Sequence, residues 1–205
     1  MNLPNNDHGK NYIDIISQDI GIKSIKSTVI KHPYFANKSY SNSIKIVGGA
    51  VIDLIEGRKP KDYDVIISNM YNLNLDEMLH AFINDGWDFL YESGTSITFK
   101  RNDILVQFLK TDINTFNYTI ETSNISIYCD SIELEFDNIS HKTKKLRPTP
   151  YTFSNPDRAI QALSRVPHWN KKGYELPEET YIRLLCFISD NIVKKTHPEL
   201  IKENS

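Results

Sequence analysis

The sequence predicts an α/β fold, a β-sheet with flanking helices that is followed by a short helical C-terminal region. Three patterns indicate it: apolar residues recur at helical spacing between Leu75 and Ile83, strand-like alternation fills residues 87–136, and helical spacing returns between residues 155 and 195. The 205 residues are 40% hydrophobic and 24% charged, which is ordinary for a globular protein. That length allows one sizeable domain with a helical appendage.

Two helices are predicted near the N-terminus. Apolar residues at helical spacing indicate an amphipathic helix over residues 10–20 and another over residues 22–30. Residues 36–43 are rich in Asn and Ser, which favours a loop, and residues 69–74 form a polar connection.

The segment after that loop organises the rest of the chain. An apolar run over residues 44–47 meets Gly48 and Gly49, which predicts a strand that ends where the backbone comes close to another group. A short helical stretch follows and is ended by Gly57 and Pro60.

A second strand then carries two acidic residues. Asp62 and Asp64 are two residues apart, so their side chains lie on the same face of the strand. Paired carboxylates beside a glycine turn suit a divalent cation and a phosphate group, because Mg²⁺ prefers oxygen ligands and free backbone N–H groups bind phosphate.

Alternating apolar residues predict five further strands. They are Trp87–Glu92, Ser96–Lys100, Ile104–Leu109, Asn124–Asp130 and Ile132–Phe136. Residues 101–103 have the composition of a hairpin turn between the second and third of these strands.

A basic, proline-ended segment interrupts the strand pattern at residues 141–150, and we place a domain boundary there. Residues 1–140 form the first predicted domain and residues 151–205 a helical region. Helices are predicted over residues 155–166 and 177–195 within that region.

Bulk properties exclude several classes of protein. The net charge of −2 gives no global basic field, so any nucleic-acid surface must be local. Cys129 and Cys186 lack metal-ligand spacing, which fits a reducing compartment and neither requires nor excludes a disulfide. No apolar run approaches the ~20 residues that span a bilayer, and the N-terminus does not resemble a signal peptide. We expect a cytoplasmic protein.

The central run resembles the signature of the polymerase-β-type nucleotidyltransferase superfamily, in the branch of bacterial-type tRNA CCA-adding enzymes and poly(A) polymerases. That branch reads Gly-Gly-x-Val-Arg-Asp-x-Leu-Leu-Gly, a short basic linker, then Asp-x-Asp. The residues that match in order are Gly48, Gly49, Val51, Asp53, Leu54, Gly57, Asp62 and Asp64. A run of about 20 residues is far more specific than either short motif alone.

The resemblance implies a mixed sheet of the nucleotidyltransferase kind, with residues 1–140 as the catalytic head and residues 151–205 as the start of a helical neck. It also implies an enzyme that transfers a nucleoside monophosphate from an NTP to an acceptor hydroxyl, at an RNA 3′ end such as that of tRNA. Asp62 and Asp64 would hold two Mg²⁺ ions, and Gly48 and Gly49 would cradle the phosphates.

One further acidic residue and one basic residue in this run each have two possible roles. Asp53 is either a carboxylate on the helix surface or a structural partner that orients nearby loops. Lys61 is either a solvated side chain or a contact to a phosphate group.

Weaker similarity continues in two places further along the chain. Asn117 stands where the family has an Asp that handles the nucleotide ribose. Asn155 and Arg158 stand where the family has an Asp and an Arg that recognise the base edges of CTP and ATP. Because an amide both donates and accepts, the base preference is expected to differ or relax.

The third metal-binding carboxylate of the family has no acidic counterpart on the strand at residues 104–109. The matching position is Leu105 or Gln107, and Gln107 is either a neutral oxygen ligand or a plain strand residue. Asp103 is a candidate substitute at the hairpin turn.

Four basic residues precede the helical region: Lys142, Lys144, Lys145 and Arg147. They form either a solvated linker or a surface that follows an RNA backbone.

Two alternative functions remain open at this point. A related transferase could modify a protein or a small molecule, since 205 residues leave no room for the long body that holds tRNA in full-length members. A catalytically degenerate nucleotide-binding or regulatory protein is favoured by Ile52 in place of the family's Arg, by Asn117, and by the missing third carboxylate.

Overall fold

The computed structural model describes residues 12–31, 44–67, 75–128 and 131–196. The described residues form two compact units: one lies within Met1–Thr111 and Asn124–Glu135, the other within Asp112–Ser123 and Phe136–Ser205. No helix in the described part of the chain is both long enough and apolar enough to cross a membrane. The thiol of Cys186 is free and exposed, and Cys129 lies outside the described residues.

The described residues of the first unit form a seven-stranded sheet and four helices. The helices are α1 (Tyr12–Gln18), α2 (Ile20–Val29), α3 (Gly49–Ile55) and α4 (Leu75–Asn84). The strands are β1 (Ile44–Val47), β2 (Tyr63–Ile67), β3 (Asp88–Glu92), β4 (Ser96–Arg101), β5 (Ile104–Leu109), β6 (Asn124–Ile127) and β7 (Ile132–Glu135).

The sheet has the strand order β3-β4-β5-β2-β1-β6-β7. All neighbours pair antiparallel except β2 and β5, which run parallel, so the predicted mixed sheet with flanking helices is confirmed. A parallel pair cannot be joined by a tight turn. The connection from β2 to β5 therefore contains α4, β3 and β4.

One face of the sheet is covered by α2 and α4. Phe82 of α4 packs its ring 5.1 Å from Phe99 of β4 and 4.9 Å from Phe108 of β5, between ring centroids. Cross-strand register places Phe99 and Phe108 on the same face as Tyr63 and Val65 of β2. Because strand side chains alternate, residues such as Asp64 lie on the opposite face.

Tyr63 ties β2 to the start of α2. Its hydroxyl donates to the Asp19 carboxylate at 2.7 Å, and the same carboxylate caps α2 by accepting from the Ile22 backbone N–H. Burial and the Asp19 carboxylate both raise the pKa of the Tyr63 phenol. A Cβ at Gly21 would lie 2.2 Å from the Tyr63 ring, so only glycine leaves room for this tyrosine.

The second unit is built from short helices and two long ones. The 3₁₀ turns are Ile113–Thr115, Thr119–Thr122 and Pro150–Phe153, and the α-helices are α5 (Asn138–Thr143), α6 (Pro156–Asn170) and α7 (Glu178–Thr196). The helical C-terminal region is thus confirmed.

A buried carboxylate, Glu121, holds the second unit together. It accepts hydrogen bonds from the backbone N–H groups of Asn117 and Tyr118, from Arg165 Nε at 2.5 Å and from Trp169 Nε1 at 2.9 Å. Four donors satisfy the charge, which is what a carboxylate needs in order to be buried.

Several predicted boundaries differ from those in the structure. The helix expected over residues 10–20 is broken at Asp19, whose extended backbone caps α2. Residues 141–143, expected in a linker, form the end of α5, and Leu146 in the same stretch is fully buried. The loop at residues 36–43 and the connection at residues 69–74 lie outside the described residues. The domain limits at residues 140 and 150 stay a prediction.

Candidate functional site

The glycine turn lies next to one of the two acidic residues. Val47, the last residue of β1, is paired with Asp64 of β2, and Gly48 follows it directly. Gly48 has φ +70° and ψ −133°, a conformation that side chains rarely adopt. A Cβ on Gly48 would lie 3.9 Å from Asp64 Oδ2. The backbone at Gly48 therefore stands directly beside this carboxylate.

Asp62 and Asp64 flank Tyr63 at the start of β2. Tyr63 is buried toward α2, whereas both acids are half-buried, as expected for residues that share the opposite face. The structure thus brings Asp62, Asp64 and the glycine turn to one region of the first unit.

Gln107 stands beside Asp64 in the sheet. The parallel register pairs Asp64 with Gln107, and the antiparallel registers then pair Gln107 with Thr98 and Thr98 with Tyr91. We call these four residues, Asp64, Gln107, Thr98 and Tyr91, the polar row. Gln107 Nε2 donates to the Tyr91 hydroxyl at 3.2 Å, so its amide nitrogen is directed away from Asp64.

Thr98 is a buried hydroxyl inside the polar row. Its exposure is 0%, and Thr98 Oγ1 has no hydrogen-bond partner among the residues that the structure describes. An unsatisfied buried hydroxyl is costly and uncommon. The sequence analysis identifies neither Thr98 nor Tyr91 as a site residue. The local signal is the polar Thr98 between the apolar residues Ile97 and Phe99, and cross-strand register cannot be read from one sequence.

Among the described residues, no third acidic residue joins Asp62 and Asp64. Within the described ranges, no group of three or more His, Cys, Asp or Glu residues could hold a metal ion. Asp103 lies in the exposed turn before β5. It is four residues from Gln107, about 13 Å along an extended strand. This separation favours Gln107 over Asp103 as the replacement for the third carboxylate, and that choice stays a prediction.

The donor set nevertheless fits a magnesium ion. Mg²⁺ is usually held by one or two carboxylates together with the phosphates of a substrate. Asp62 and Asp64 supply the carboxylates, and Gln107 adds an uncharged oxygen in the neighbouring strand. These are hard oxygen ligands, beside a glycine turn at which a phosphate can approach the backbone.

Asp53 is buried and pairs with a cation of its own segment. Its Oδ1 accepts from Arg58 Nε at 3.0 Å and from Arg58 Nη2 at 2.8 Å, and Arg58 also pairs with Glu56. This pairing ties the end of α3 to the turn before β2, which agrees with the structural alternative for Asp53. Lys61 is exposed just before Asp62.

Asn117, in the second unit, is 4% exposed. Its backbone carbonyl accepts from Thr149 N at 2.8 Å and from Thr152 Oγ1 at 2.5 Å, and its N–H donates to Glu121. Its side-chain Oδ1 has no partner in the described part of the chain. This buried oxygen is thus an acceptor that a ligand hydroxyl could satisfy.

Asn155 and Arg158 lie at the start of α6. Asn155 is the N-cap, and its Oδ1 accepts from the Arg158 backbone N–H at 3.0 Å. The Arg158 guanidinium stacks 4.8 Å from the Tyr151 ring centre and donates to Gln161. Because the Asn155 oxygen is used by the cap, the two side chains present mainly N–H donors.

Two of the four basic residues predicted as an RNA surface are engaged within the second unit. Lys144 Nζ lies 4.5 Å from the Tyr174 ring centre, and Arg147 Nη2 lies 2.7 Å from Asp137 Oδ1. Burial alone would raise the pKa of Asp137, but hydrogen bonds from Ser140, Thr119 and Arg147 outweigh it and hold that pKa below its usual value. Lys142 and Lys145 are exposed.

The fold was compared with known proteins. No protein-family profile and no curated protein matches the sequence. Solved structures do match. A CCA-adding enzyme with ATP is 16% identical, with a TM-score of 0.66 over 95% of this chain and 50% of that chain. The Thermotoga maritima CCA-adding enzyme complexed with tRNA is 15% identical, with a TM-score of 0.64 over 91% and 47%.

A tRNA-processing enzyme with CTP is 18% identical, with a TM-score of 0.53 over 75% of this chain and 45% of that chain. The chain therefore spans about half the length of the structures that it matches. At these identities the similarity is one of fold. The seven-stranded mixed sheet, its flanking helices and its helical C-terminal region share the fold of the matched part of the CCA-adding enzymes.

Proposed function

We propose that this protein is a Mg²⁺-dependent nucleotidyltransferase that transfers a nucleoside monophosphate from an NTP to an acceptor hydroxyl at an RNA 3′ end, such as that of tRNA. The observation that carries the proposal is Asp64 beside the Gly48 turn. Asp62 directly precedes β2, and its spacing of two from Asp64 predicts the same face. The shared fold supports it, since structures with this fold include CCA-adding enzymes with CTP, with ATP and with tRNA.

The first unit would hold the reacting groups. Asp62 and Asp64 bind the cation, the backbone at Gly48 and Gly49 contacts the triphosphate, and exposed Lys61 attracts its charge. Mg²⁺ bound there would activate the acceptor hydroxyl and neutralise charge on the phosphates. The acceptor oxygen bonds to the α-phosphorus, the bond to the β-phosphate breaks, and pyrophosphate leaves with the electron pair.

Asn117, Asn155 and Arg158 are the residues to which the resemblance assigns contacts with the sugar and the base of the nucleotide. The buried Asn117 Oδ1 accepts from a ribose hydroxyl, which favours ribonucleotides over deoxyribonucleotides because a deoxyribose leaves that acceptor unsatisfied. Arg158 and the Asn155 amide N–H groups favour base edges that carry acceptor atoms, such as the carbonyls of uracil and guanine.

Label transfer tests the proposal. The protein is incubated with Mg²⁺, each of the four NTPs labelled at the α-phosphate, and acceptors that include tRNA lacking its 3′ end, short RNAs, proteins and small hydroxyl compounds. The Asp62→Asn/Asp64→Asn variant should lose pyrophosphate release and transfer. Asp157→Asn/Asp190→Asn removes the same charge from two exposed positions and should retain both. Equal turnover in the two double variants would contradict the proposal, and transfer to a protein or small molecule instead of RNA would contradict the acceptor.

A second candidate function is nucleotide binding without transfer. It is favoured by the uncharged Gln107 in the strand position paired with Asp64, and by the absence of a third acidic residue near the pair in the described residues. Nucleotide binding by calorimetry, with no pyrophosphate released from any NTP, would support this function and reject the transferase.

A further inference from the structure

Tyr91 has no part in the reaction proposed above, although its hydroxyl contacts Gln107, which lies two strands away and is paired with Asp64. We propose that Tyr91 is a positioning residue that turns the Gln107 amide oxygen toward the cation held by Asp62 and Asp64. The inference rests on the proposed function and concerns how an uncharged residue can serve where a carboxylate is missing.

The register of the sheet places Tyr91 and Gln107 on the same face. Tyr91 of β3, Thr98 of β4, Gln107 of β5 and Asp64 of β2 are successive cross-strand partners, so their side chains share one face. The Gln107 Nε2 to Tyr91 hydroxyl contact of 3.2 Å passes over β4, whose Thr98 at this level is completely buried. The tyrosine thus extends along the sheet surface toward the acids.

The nitrogen and the oxygen of the Gln107 amide interact differently with a cation. The oxygen and nitrogen of a glutamine amide lie on opposite sides of its carbonyl carbon, so fixing the nitrogen toward β3 turns the oxygen toward β2. An amide nitrogen is a donor and repels a cation, whereas either oxygen of a carboxylate attracts one. A glutamine at this position therefore needs an anchor that an acidic residue would not need.

Thr98 cannot serve as that anchor. Its hydroxyl has no hydrogen-bond partner among the described residues, although its strand position is next to Gln107. Tyr91 is the polar-row residue whose hydroxyl does contact the amide.

Binding of Mn²⁺ alone, followed by electron paramagnetic resonance, tests the inference without requiring turnover. Tyr91→Phe should weaken Mn²⁺ binding about tenfold, the lower end of the range for residues that orient a metal ligand. Tyr181→Phe is the matched control, since it removes the same hydroxyl from a tyrosine of similar exposure, 47% against 49% for Tyr91. It should bind Mn²⁺ as the unchanged protein does.

A second background separates positioning from a general structural effect. Gln107→Glu should bind Mn²⁺ more tightly, and adding Tyr91→Phe to it should change nothing, because a carboxylate presents an oxygen in either orientation. Wild-type affinity in Tyr91→Phe, or an equal loss in the Gln107→Glu background, would overturn the inference alone. Unchanged Mn²⁺ binding in Asp62→Asn/Asp64→Asn would overturn the cation site itself, and the proposed function with it.

Discussion

The substitution Gly21→Ala adds one methyl group to α2 and tests the packing of α2 against β2. In Gly21→Ala the new Cβ would lie 2.2 Å from Tyr63 Cζ and 2.3 Å from its hydroxyl oxygen. Because Tyr63 is buried, the ring cannot turn into solvent. Either α2 or β2 must shift.

The size of the effect follows from three contributions. Overpacking of a buried side chain costs roughly 1–3 kcal/mol. Loss of the hydrogen bond from Tyr63 to the charged Asp19 costs about 1.5–3 kcal/mol, and the higher helix propensity of alanine offsets about 1 kcal/mol. We expect Gly21→Ala to lower the free energy of unfolding by about 3 kcal/mol.

Urea unfolding followed by circular dichroism measures this difference. Gly94→Ala is the matched control, because nothing lies within 4 Å of a Cβ at Gly94 and its φ is not positive. The control should change stability by less than about 0.5 kcal/mol. In a Tyr63→Ala background Gly21→Ala should cost nothing further, since the atoms it meets are gone. Equal stability of Gly21→Ala and Gly94→Ala would refute the packing argument.

Three further predictions concern stability. Thr98→Val removes an unsatisfied buried hydroxyl and should raise the free energy of unfolding by about 1 kcal/mol. A lower free energy of unfolding in urea would contradict this prediction. Burial raises the pKa of both Tyr63 and Tyr118 above the unfolded value of 10.0, so the free energy of unfolding should fall as the pH rises above about 10. Unfolding after a pH jump measures this slope, and Tyr63→Phe should reduce it. Glu121→Gln places a buried amide N–H₂ group against one of the two pairs of donors that converge on the carboxylate oxygens, and it should cost about 3 kcal/mol. Glu175→Gln, at an exposed position, should not change the unfolding midpoint.

Local patterns predicted much of the fold. Residues 104–109 are an apolar run broken by Gln107 and form β5 with the predicted limits, because a short apolar run bounded by a turn favours a strand covered on both faces. The helix α5 was not predicted, since Asn138–Thr143 is a weak helix former. Its formation depends on the Asp137 cap, which accepts from the Ser140 N–H, and on burial of Ser140.

The candidate site was predictable only in part. The spacing of Asp62 and Asp64 placed both on one face, and the glycine turn followed from the chain order. Their neighbours in the sheet depend on the pairing of β2 with β5 and of β4 with β3, which involves residues distant in sequence. For that reason Gln107 was identified through resemblance to a family, and Tyr91 was not identified at all.

The parallel pairing of β2 with β5 has a consequence for biosynthesis. A nascent polypeptide that has left the ribosome only as far as Arg101 already contains both acids, yet the strand that flanks them on one side has not been made. Strands that are distant in sequence pair slowly, and strand edges that are still unpaired favour aggregation. The face proposed to bind the cation is therefore completed only after Ile104–Leu109 emerges, and β1 gains its second neighbour later still, when Asn124–Ile127 is synthesised.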